Sequence, residues 1–593
     1  MPRHLLLAPL LTLAAAVAAD PVDPVVRSAE AARVAVIDKV RPAVVAVCKY
    51  GGDASGSGVL IDSDGYALTN FHVVDDTGPV MQCGLPDGLL YDAVLVGTDV
   101  VGDVALVKLL PREPGKPFPF APLGDSDAVK PGEWSLAMGN PFGLARDFTP
   151  SVTFGLVSGT HRYQPPAAAG ILEYTDCLQV DTSINPGNSG GPLFNLKGEL
   201  IGINGRGQFD KRMRINSGAG FAISINQIKH FLGHLRAGLA ADHATLGAVV
   251  TTDSEDGDLA RLTVRQVLED SDAYRRGVRP GDQLLSFAGR PLTSTNHYKN
   301  VLGIYPKGWR LPLVYRRGGD RKEVLVRLMG NLDTPIDEPD RRPKKGPKKK
   351  DKDDIDLPTD AKKSPAAKLL EPKSGFANAH FNKLERDRVM SEFRKATGDP
   401  AGLTGAWTVE GSVKLADRQG DFKLTIGEAA DGLTEAKLAR SGIEDAVKPL
   451  KPDAPLGELQ LPTGSGGLLT ALVQYRRLAG LGEKGFEAGF SHGGFEPAYP
   501  TEDIGSRVEC ETLRTKHGPF ESVWFFDRGT RQLIGCEATV SKDEDPCELY
   551  FASYKDAGGR RLPHRIEVRT GDRKYAVLTV KTYTFGPATA AKP

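Results

Sequence analysis

The sequence predicts a mainly β protein built from two six-stranded barrels and two further β-rich units. Three observations carry this. Short apolar runs recur at close spacing with Gly/Asp turns between them, the pattern of closed antiparallel sheets. The chain has 593 residues, 40% of them hydrophobic, enough for about three or four domains with ordinary cores. From Asn331 the composition changes sharply, as Pro, Lys and Asp replace the aromatic residues.

In chain order, residues 1–19 read as an export signal. Arg3 is followed by the apolar run Leu5 to Val17 and by small residues at Ala16-Val17-Ala18. The mature chain is expected to begin near Ala19 or Asp20, in a periplasm or outside the cell. No other segment approaches about eighteen consecutive apolar residues, so no membrane span is expected. The first barrel is predicted from Val44–Val47, Gly58–Ile61, Tyr66–Thr69, Val80–Cys83, Ala93–Val96 and Val104–Leu109. The second is predicted from Ser135–Met138, Phe148–Ser158, Cys177–Asp181, Pro192–Phe194, Glu199–Asn204 and Gly220–Ile225, with a closing helix over Asn226–Leu239. Six cysteines are too few for a disulfide scaffold of this size and show no metal-ligand spacing. Cys48 and Cys83 fall in strands that neighbour one another in such a barrel, as a bridge or as two buried thiols. With 75 basic and 75 acidic residues the net charge is zero, which recommends neither nucleic acid nor an acidic membrane as partner.

The chemistry centres on Gly187-Asn188-Ser189-Gly190-Gly191-Pro192. Small, turn-forming residues around a serine let the backbone aim several N–H groups at one point, where an acyl-transfer enzyme needs them. One such donor is worth about 3 kcal/mol of transition-state stabilisation. A Gly-rich surface turn is the plain alternative. Upstream, His72 closes Tyr66 to Val74, a strand-like run, and Asp103 opens another strand after Gly102. Taken singly, His72 suits a core position and Asp103 a strand cap. Together they offer the imidazole and the orienting carboxylate that a serine hydroxyl requires, in the order His, Asp, Ser. His4 falls in the export signal, and His161 is expected in a loop.

On these residues the chain resembles the HtrA/Deg family of trypsin-like serine proteases. The matching segments include Gly56-Ser57-Gly58, Leu68 to Val74, Gly102 to Lys108, Met138 to Gly143, Gln179 to Leu193 and Gly220 to Ile225. The resemblance spans roughly residues 30–330 and implies a chymotrypsin-like double β-barrel protease domain over 28–240. It implies His72 as general base, Asp103 as orienter and Ser189 as nucleophile, with N–H groups of Gly187, Asn188 and Ser189 as the oxyanion hole. Residues 244–330 look like a PDZ domain through Leu246-Gly247-Ala248-Val249 and Arg279-Pro280-Gly281-Asp282. There a C-terminal peptide would add as a strand beside Leu246, Gly247, Ala248 and Val249. The acidic insertion Asp253 to Asp258 departs from that pattern.

Residues 331–374 are predicted to be a disordered charged linker. Residues 376–588 are predicted as a β-rich C-terminal domain opening on a helix over His380–Ala396. It is weakly similar to the curved half-barrel of lipoprotein-sorting proteins such as LolA, or is a generic interaction domain. The whole implies an exported, ATP-independent serine endoprotease acting on unfolded or damaged envelope proteins, without cofactor or metal and without a phosphate-binding loop. A non-proteolytic chaperone or scaffold on the same fold is the competing reading. Family members are commonly trimers held by N-terminal aromatic residues, and Asp20 to Cys48 contains none. Residues 20–330 are therefore expected to form a weak trimer or a monomer.

Overall fold

The computed structural model describes residues 23–587 except 141–142, 144, 166–172, 210–215, 254–260, 331–356, 399–400, 417, 429–433, 441–442, 448–453 and 487–488. The predicted export signal, most of the acidic insertion and residues 331–356 of the predicted linker lie outside the described residues.

A helix that composition did not single out comes first, α1 (Pro24–Val40), with Asp23 accepting a hydrogen bond from the Val25 N–H at 2.8 Å. Six strands follow: β1 (Val44–Lys49), β2 (Ala54–Leu60), β3 (Tyr66–Thr69), β4 (Val80–Gly84), β5 (Leu90–Asp99) and β6 (Val104–Leu109). They pair in the cycle β1-β2-β3-β6-β5-β4, which closes a barrel. Between β3 and β4 lies the short helix α2 (Phe71–Thr77). The second barrel is β7 (Trp134–Gly139), β8 (Ser151–Gln164), β9 (Tyr174–Val180), β10 (Pro192–Asn195), β11 (Leu200–Phe209) and β12 (Asn216–Ser224). It is closed in the order β10-β11-β12-β9-β8-β7. Helix α3 (Ile225–Arg236) then packs Ile225, Ile228, Phe231 and Leu235 into the core of the first barrel.

Two sequence expectations are settled by register. β1 and β4 do neighbour one another, but Cys83 stands opposite Val47 and Cys48 opposite Gln82. Because side chains alternate across a strand, the two thiols point to opposite faces and stay free, which excludes a bridge. His161 lies within strand β8 rather than in a loop, at a bulge where its φ is +54°.

The middle unit runs from Ala244 to Gly330, with five strands ordered Ala248–Asp253, Arg261–Val267, Gln283–Phe287, Arg310–Arg317 and Asp320–Arg327, and the helix Thr295–Leu302 beside the first. The C-terminal unit is one antiparallel sheet of eleven strands. Its strands share one core with the buried helix Leu468–Leu481, so the sheet wraps around that helix. The helix fills the concave side: the void left among Trp407, Phe422, Leu472 and Tyr475 is about 10 Å³, room for one water at most.

Residues 357–374 differ from the predicted disordered linker. Ala361 and Ala366 are fully buried against the first barrel, and the Ser364 hydroxyl donates to Asp92 at 2.7 Å. Apolar residues hidden in a charged composition (Leu357, Ala361, Ala366, Leu369, Leu370) supply the contact that offsets the ordering entropy. The C-terminal unit is thereby anchored to the barrel. Asn378 donates to the Leu95 carbonyl at 2.7 Å, and Gly233 of α3 lies against Phe495 with no room for a Cβ. The middle unit meets both neighbours. Arg290 and Asn300 bond Asp176 of β9, while Arg276 and Arg327 pair with Asp545 and Glu537 of the C-terminal unit.

Candidate active site

Asp103 sits immediately before β6 with φ +57°, after a turn that Asp99 shapes by accepting the Gly102 N–H at 2.8 Å. Asp99 is held in turn by His243, whose Nε2 lies 2.8 Å from both carboxylate oxygens. His72 does not close a strand as its apolar surroundings suggest. β3 ends at Thr69, and His72 lies in the first turn of α2. The chain reverses there because the start of α2 is tied to Asp103. Asn70 Nδ2 and the Phe71 N–H donate to the Asp103 carbonyl at 2.9 and 3.2 Å, and the His72 N–H donates to Oδ1 at 3.0 Å.

The side chains meet at the same point. His72 Nδ1 is 2.8 Å from Asp103 Oδ2 and 3.1 Å from Oδ1. The carboxylate is wholly buried, whereas the imidazole is 44% exposed. A second donor arrives from the other barrel: the Tyr174 hydroxyl, at the start of β9, lies 2.5 Å from Asp103 Oδ2.

The Ser189 loop of the second barrel approaches α2 at Gly56. At Gly56 of β2 a Cβ would stand 2.6 Å from Val73 and 3.1 Å from the Ser189 carbonyl, so only a bare backbone fits between α2 and the serine loop. The Ser57 N–H donates to the Ser189 carbonyl at 2.9 Å, and the Ser189 hydroxyl donates to the Gly205 carbonyl at 3.4 Å. Gly190 has φ +82°, and a Cβ there would fall 2.3 Å from both the Ser57 carbonyl and the Thr69 hydroxyl. The loop is stitched by the Gly190 N–H to the Asn204 carbonyl at 2.8 Å and by the Gly191 N–H to the Asn188 carbonyl at 3.0 Å.

One predicted oxyanion donor is corrected. The Asn188 N–H is spent on the Asn185 carbonyl at 2.9 Å, closing the turn before the serine. The N–H groups of Gly187 and Ser189 have no partner among the described residues. Ser57, which no sequence expectation singled out, also supports the loop. Its fully buried hydroxyl donates to the Gly187 carbonyl at 2.7 Å and accepts the Asn140 N–H at 2.9 Å. A small polar residue between two glycines on a core strand is the signal that pointed to it.

At the middle unit the predicted peptide-binding residues divide. Ala248 and Val249 lie on the edge strand facing the helix Thr295–Leu302, with Val249 exposed. Leu246 is instead a core residue, because the turn at Gly247 (φ +70°) sends it inward. The Gly247 N–H already donates to the Thr245 hydroxyl at 3.3 Å, and the Tyr298 hydroxyl donates to the Ala248 carbonyl at 3.3 Å. Among the described residues two groups of histidine and carboxylates converge, Asp127/His161/Asp176 and Glu385/His492/Glu511. Arg290 pairs with both aspartates of the first and Arg388 with both glutamates of the second, supplying the charge a metal would bring. Donation of the His161 ring N–H to the Asp176 carboxylate raises the pKa of His161. Burial pushes the Asp176 carboxyl up, but His161 and Arg290 outweigh it and hold it low.

Residues 56–203 match the family model of the trypsin-like peptidase domain. A probable periplasmic serine endoprotease, DegP-like, of Pseudomonas putida (strain W619) is 39% identical over 280 residues, covering 46% of this chain and 55% of that relative. Its counterpart in Ectopseudomonas mendocina (strain ymp) is 38% identical over 280 residues, covering 46% and 56%. The chain spans just over half the length of these curated relatives. Among solved structures, the HtrA-type protease AlgW with tripeptide is 30% identical and covers 50% of this chain and 96% of that one, with a TM-score of 0.41. Paired barrels with this site between them define a trypsin-like serine peptidase domain. Over its N-terminal half the chain is similar to DegP-like serine endoproteases.

Proposed function

We propose that the chain is an exported, ATP-independent serine endoprotease that cleaves extended segments of unfolded envelope proteins. The observation that carries this is the buried Asp103 carboxylate bonded to His72 Nδ1, beside a serine loop with two N–H groups that have no partner among the described residues. Asp103 keeps the proton of His72 on Nδ1, which leaves Nε2 to take the Ser189 hydroxyl proton. The alkoxide attacks the scissile carbonyl, and the N–H groups of Gly187 and Ser189 receive the charge that develops on its oxygen. His72 returns the proton to the leaving amine. Water, deprotonated by the same imidazole, then releases the acyl group from Ser189.

Export to the periplasm is supported by the predicted signal and by the description of the relatives as periplasmic. We assign the middle unit as a PDZ-type module, on the strength of its edge strand and facing helix, with C-terminal peptides as its ligands. The C-terminal sheet, its hollow filled by its own helix, suits an interaction module better than an acyl-chain carrier. Labelling of Ser189 by a fluorophosphonate probe, with casein hydrolysis abolished in Ser189→Ala at unchanged circular dichroism, is the expected result. Residual turnover within about tenfold of wild type would refute the triad and favour the chaperone reading.

A further inference from the structure

A carboxylate that is wholly buried depends on the donors around it, and those at Asp103 divide unevenly between the barrels. Oδ1 accepts the His72 N–H at 3.0 Å, and Oδ2 takes His72 Nδ1 at 2.8 Å. Both come from α2, on the same barrel as Asp103. Among the described residues, the donor to this carboxylate from the opposite barrel is the Tyr174 hydroxyl, 2.5 Å from Oδ2. Tyr174 is 3% exposed, so its ring is in place before any substrate arrives. Residue 205 is glycine at the point of close approach: a Cβ there would lie 3.1 Å from the hydroxyl oxygen and 3.2 Å from the ring carbon that bears it, so the tyrosine would have to give by a few tenths of an ångström. The carbonyl of the same Gly205 accepts the Ser189 hydroxyl, so Tyr174 stands where all three proposed catalytic residues converge.

We infer that Tyr174 is a positioning residue of the proposed peptidase site, its hydroxyl fixing the Asp103 carboxylate from across the barrel boundary and sharing its charge. The inference rests on the reading of His72, Asp103 and Ser189 as the triad. A donor on Oδ2 limits the rotation of the carboxylate, which keeps Nδ1 of His72 aligned. It also disperses negative charge, so the carboxylate attracts the imidazolium less strongly and His72 becomes a usable base at lower pH. The other ionisable groups packed around Asp103 are already engaged. Asp99 and His243 bind each other behind Gly102, and Glu173 accepts from the Tyr163 hydroxyl.

The test is the pH profile of kcat and KM for casein-derived fluorogenic peptide in wild type and Tyr174→Phe, with Tyr163→Phe as the control for loss of a neighbouring hydroxyl. The expected result is a fall in kcat of about tenfold with KM changed less than about twofold, since a buried ring does not touch substrate. The acid limb should move up by about half a pH unit or more, because the undiluted carboxylate favours protonated His72. Tyr163→Phe should follow wild type. An independent reading is the NMR titration of His72 in the Ser189→Ala background, which should shift upward when Tyr174→Phe is added. If Tyr174→Phe melts early, Gly205→Ala, whose Cβ would press on the hydroxyl and on the ring carbon that bears it, should move the His72 titration the same way. A wild-type profile in Tyr174→Phe, or lost activity with an unmoved acid limb and unmoved His72 titration, would overturn the role. A dead Ser189→Ala beside a wild-type-like Tyr174→Phe overturns this role alone; an active Ser189→Ala overturns the triad itself.

Discussion

Replacing Ser57 by alanine tests whether the oxyanion loop is held from behind. The wild-type hydroxyl is fully buried and makes two bonds, donating to the Gly187 carbonyl at 2.7 Å and accepting the Asn140 N–H at 2.9 Å. Alanine fits the same space and leaves the buried Asn140 N–H unmet, whereas the half-buried Gly187 carbonyl can turn to water. One unsatisfied buried group costs about 1–3 kcal/mol. For a domain of this size each kcal/mol lowers the melting temperature by about 2–4 °C, which places the expected drop at about 2–12 °C for the transition of the barrels. Activity should suffer separately. The Gly187 carbonyl belongs to the peptide leading into Asn188, and its release lets the Gly187 N–H turn away from the substrate oxygen. Complete loss of one such donor costs about 10²–10³ in kcat, so a loosened one should cost about 10–100-fold, with little change in KM. Differential scanning calorimetry and initial rates on a peptide substrate read the two effects apart. Ser57→Cys, which retains a weak donor, should recover part of both. A melting temperature within about 1 °C of wild type together with kcat within about twofold would show that Ser57 only fills space.

Other outcomes follow from the same contacts. Activity should fall as pH drops through the titration of His72, a group whose ordinary pKa is about 6.5, because the base must be neutral; a flat profile to about pH 4 would speak against histidine catalysis. Burial pulls the pKa of His243 down, but Asp99 more than offsets it and the net shift is upward. A raised pKa stabilises the fold below the ordinary histidine value of about 6.5, and that contribution disappears as pH rises through the folded-state pKa. The melting gap between wild type and His243→Gln should therefore be widest near pH 6 and narrow in alkali; a gap that widens with pH would refute the pairing. Helix α1 carries no aromatic residue, and Val25, Val26 and Val34 are its exposed large apolar side chains. In sedimentation the full chain should run as a monomer or as a trimer that dissociates on dilution at micromolar concentration. A trimer that persists on dilution would show those valines, or the exposed Trp134–Phe154 stack, to be sufficient anchors.

The proposed triad of His72, Asp103 and Ser189 could be read from the sequence because each residue sits in a segment whose residue types follow from local chemistry. Gly190 must be glycine for its conformation, and Gly56 because the Val73 side chain and the Ser189 carbonyl close on it. The barrels were legible for a similar reason: alternating burial and turn residues are properties of a strand and its nearest connection. What the sequence could not convey depends on groups far apart in the chain. Tyr174 lies 71 residues from Asp103, and nothing near Tyr174 marks it as a partner of a carboxylate. Asn188 looked like a third oxyanion donor until the turn to Asn185 spent its N–H. Cys48 and Cys83 were expected in adjacent strands, but register, which is set by the whole sheet, put them on opposite faces. Residues 357–374 read as solvated linker because composition averages over a window, whereas burial selects single side chains such as Ala361 and Ala366. Local patterns determined which residues could do chemistry. Only the tertiary structure decided which donors remain unspent and which distant hydroxyl completes the buried carboxylate, because hydrogen-bond satisfaction belongs to the packed molecule and not to any segment of it.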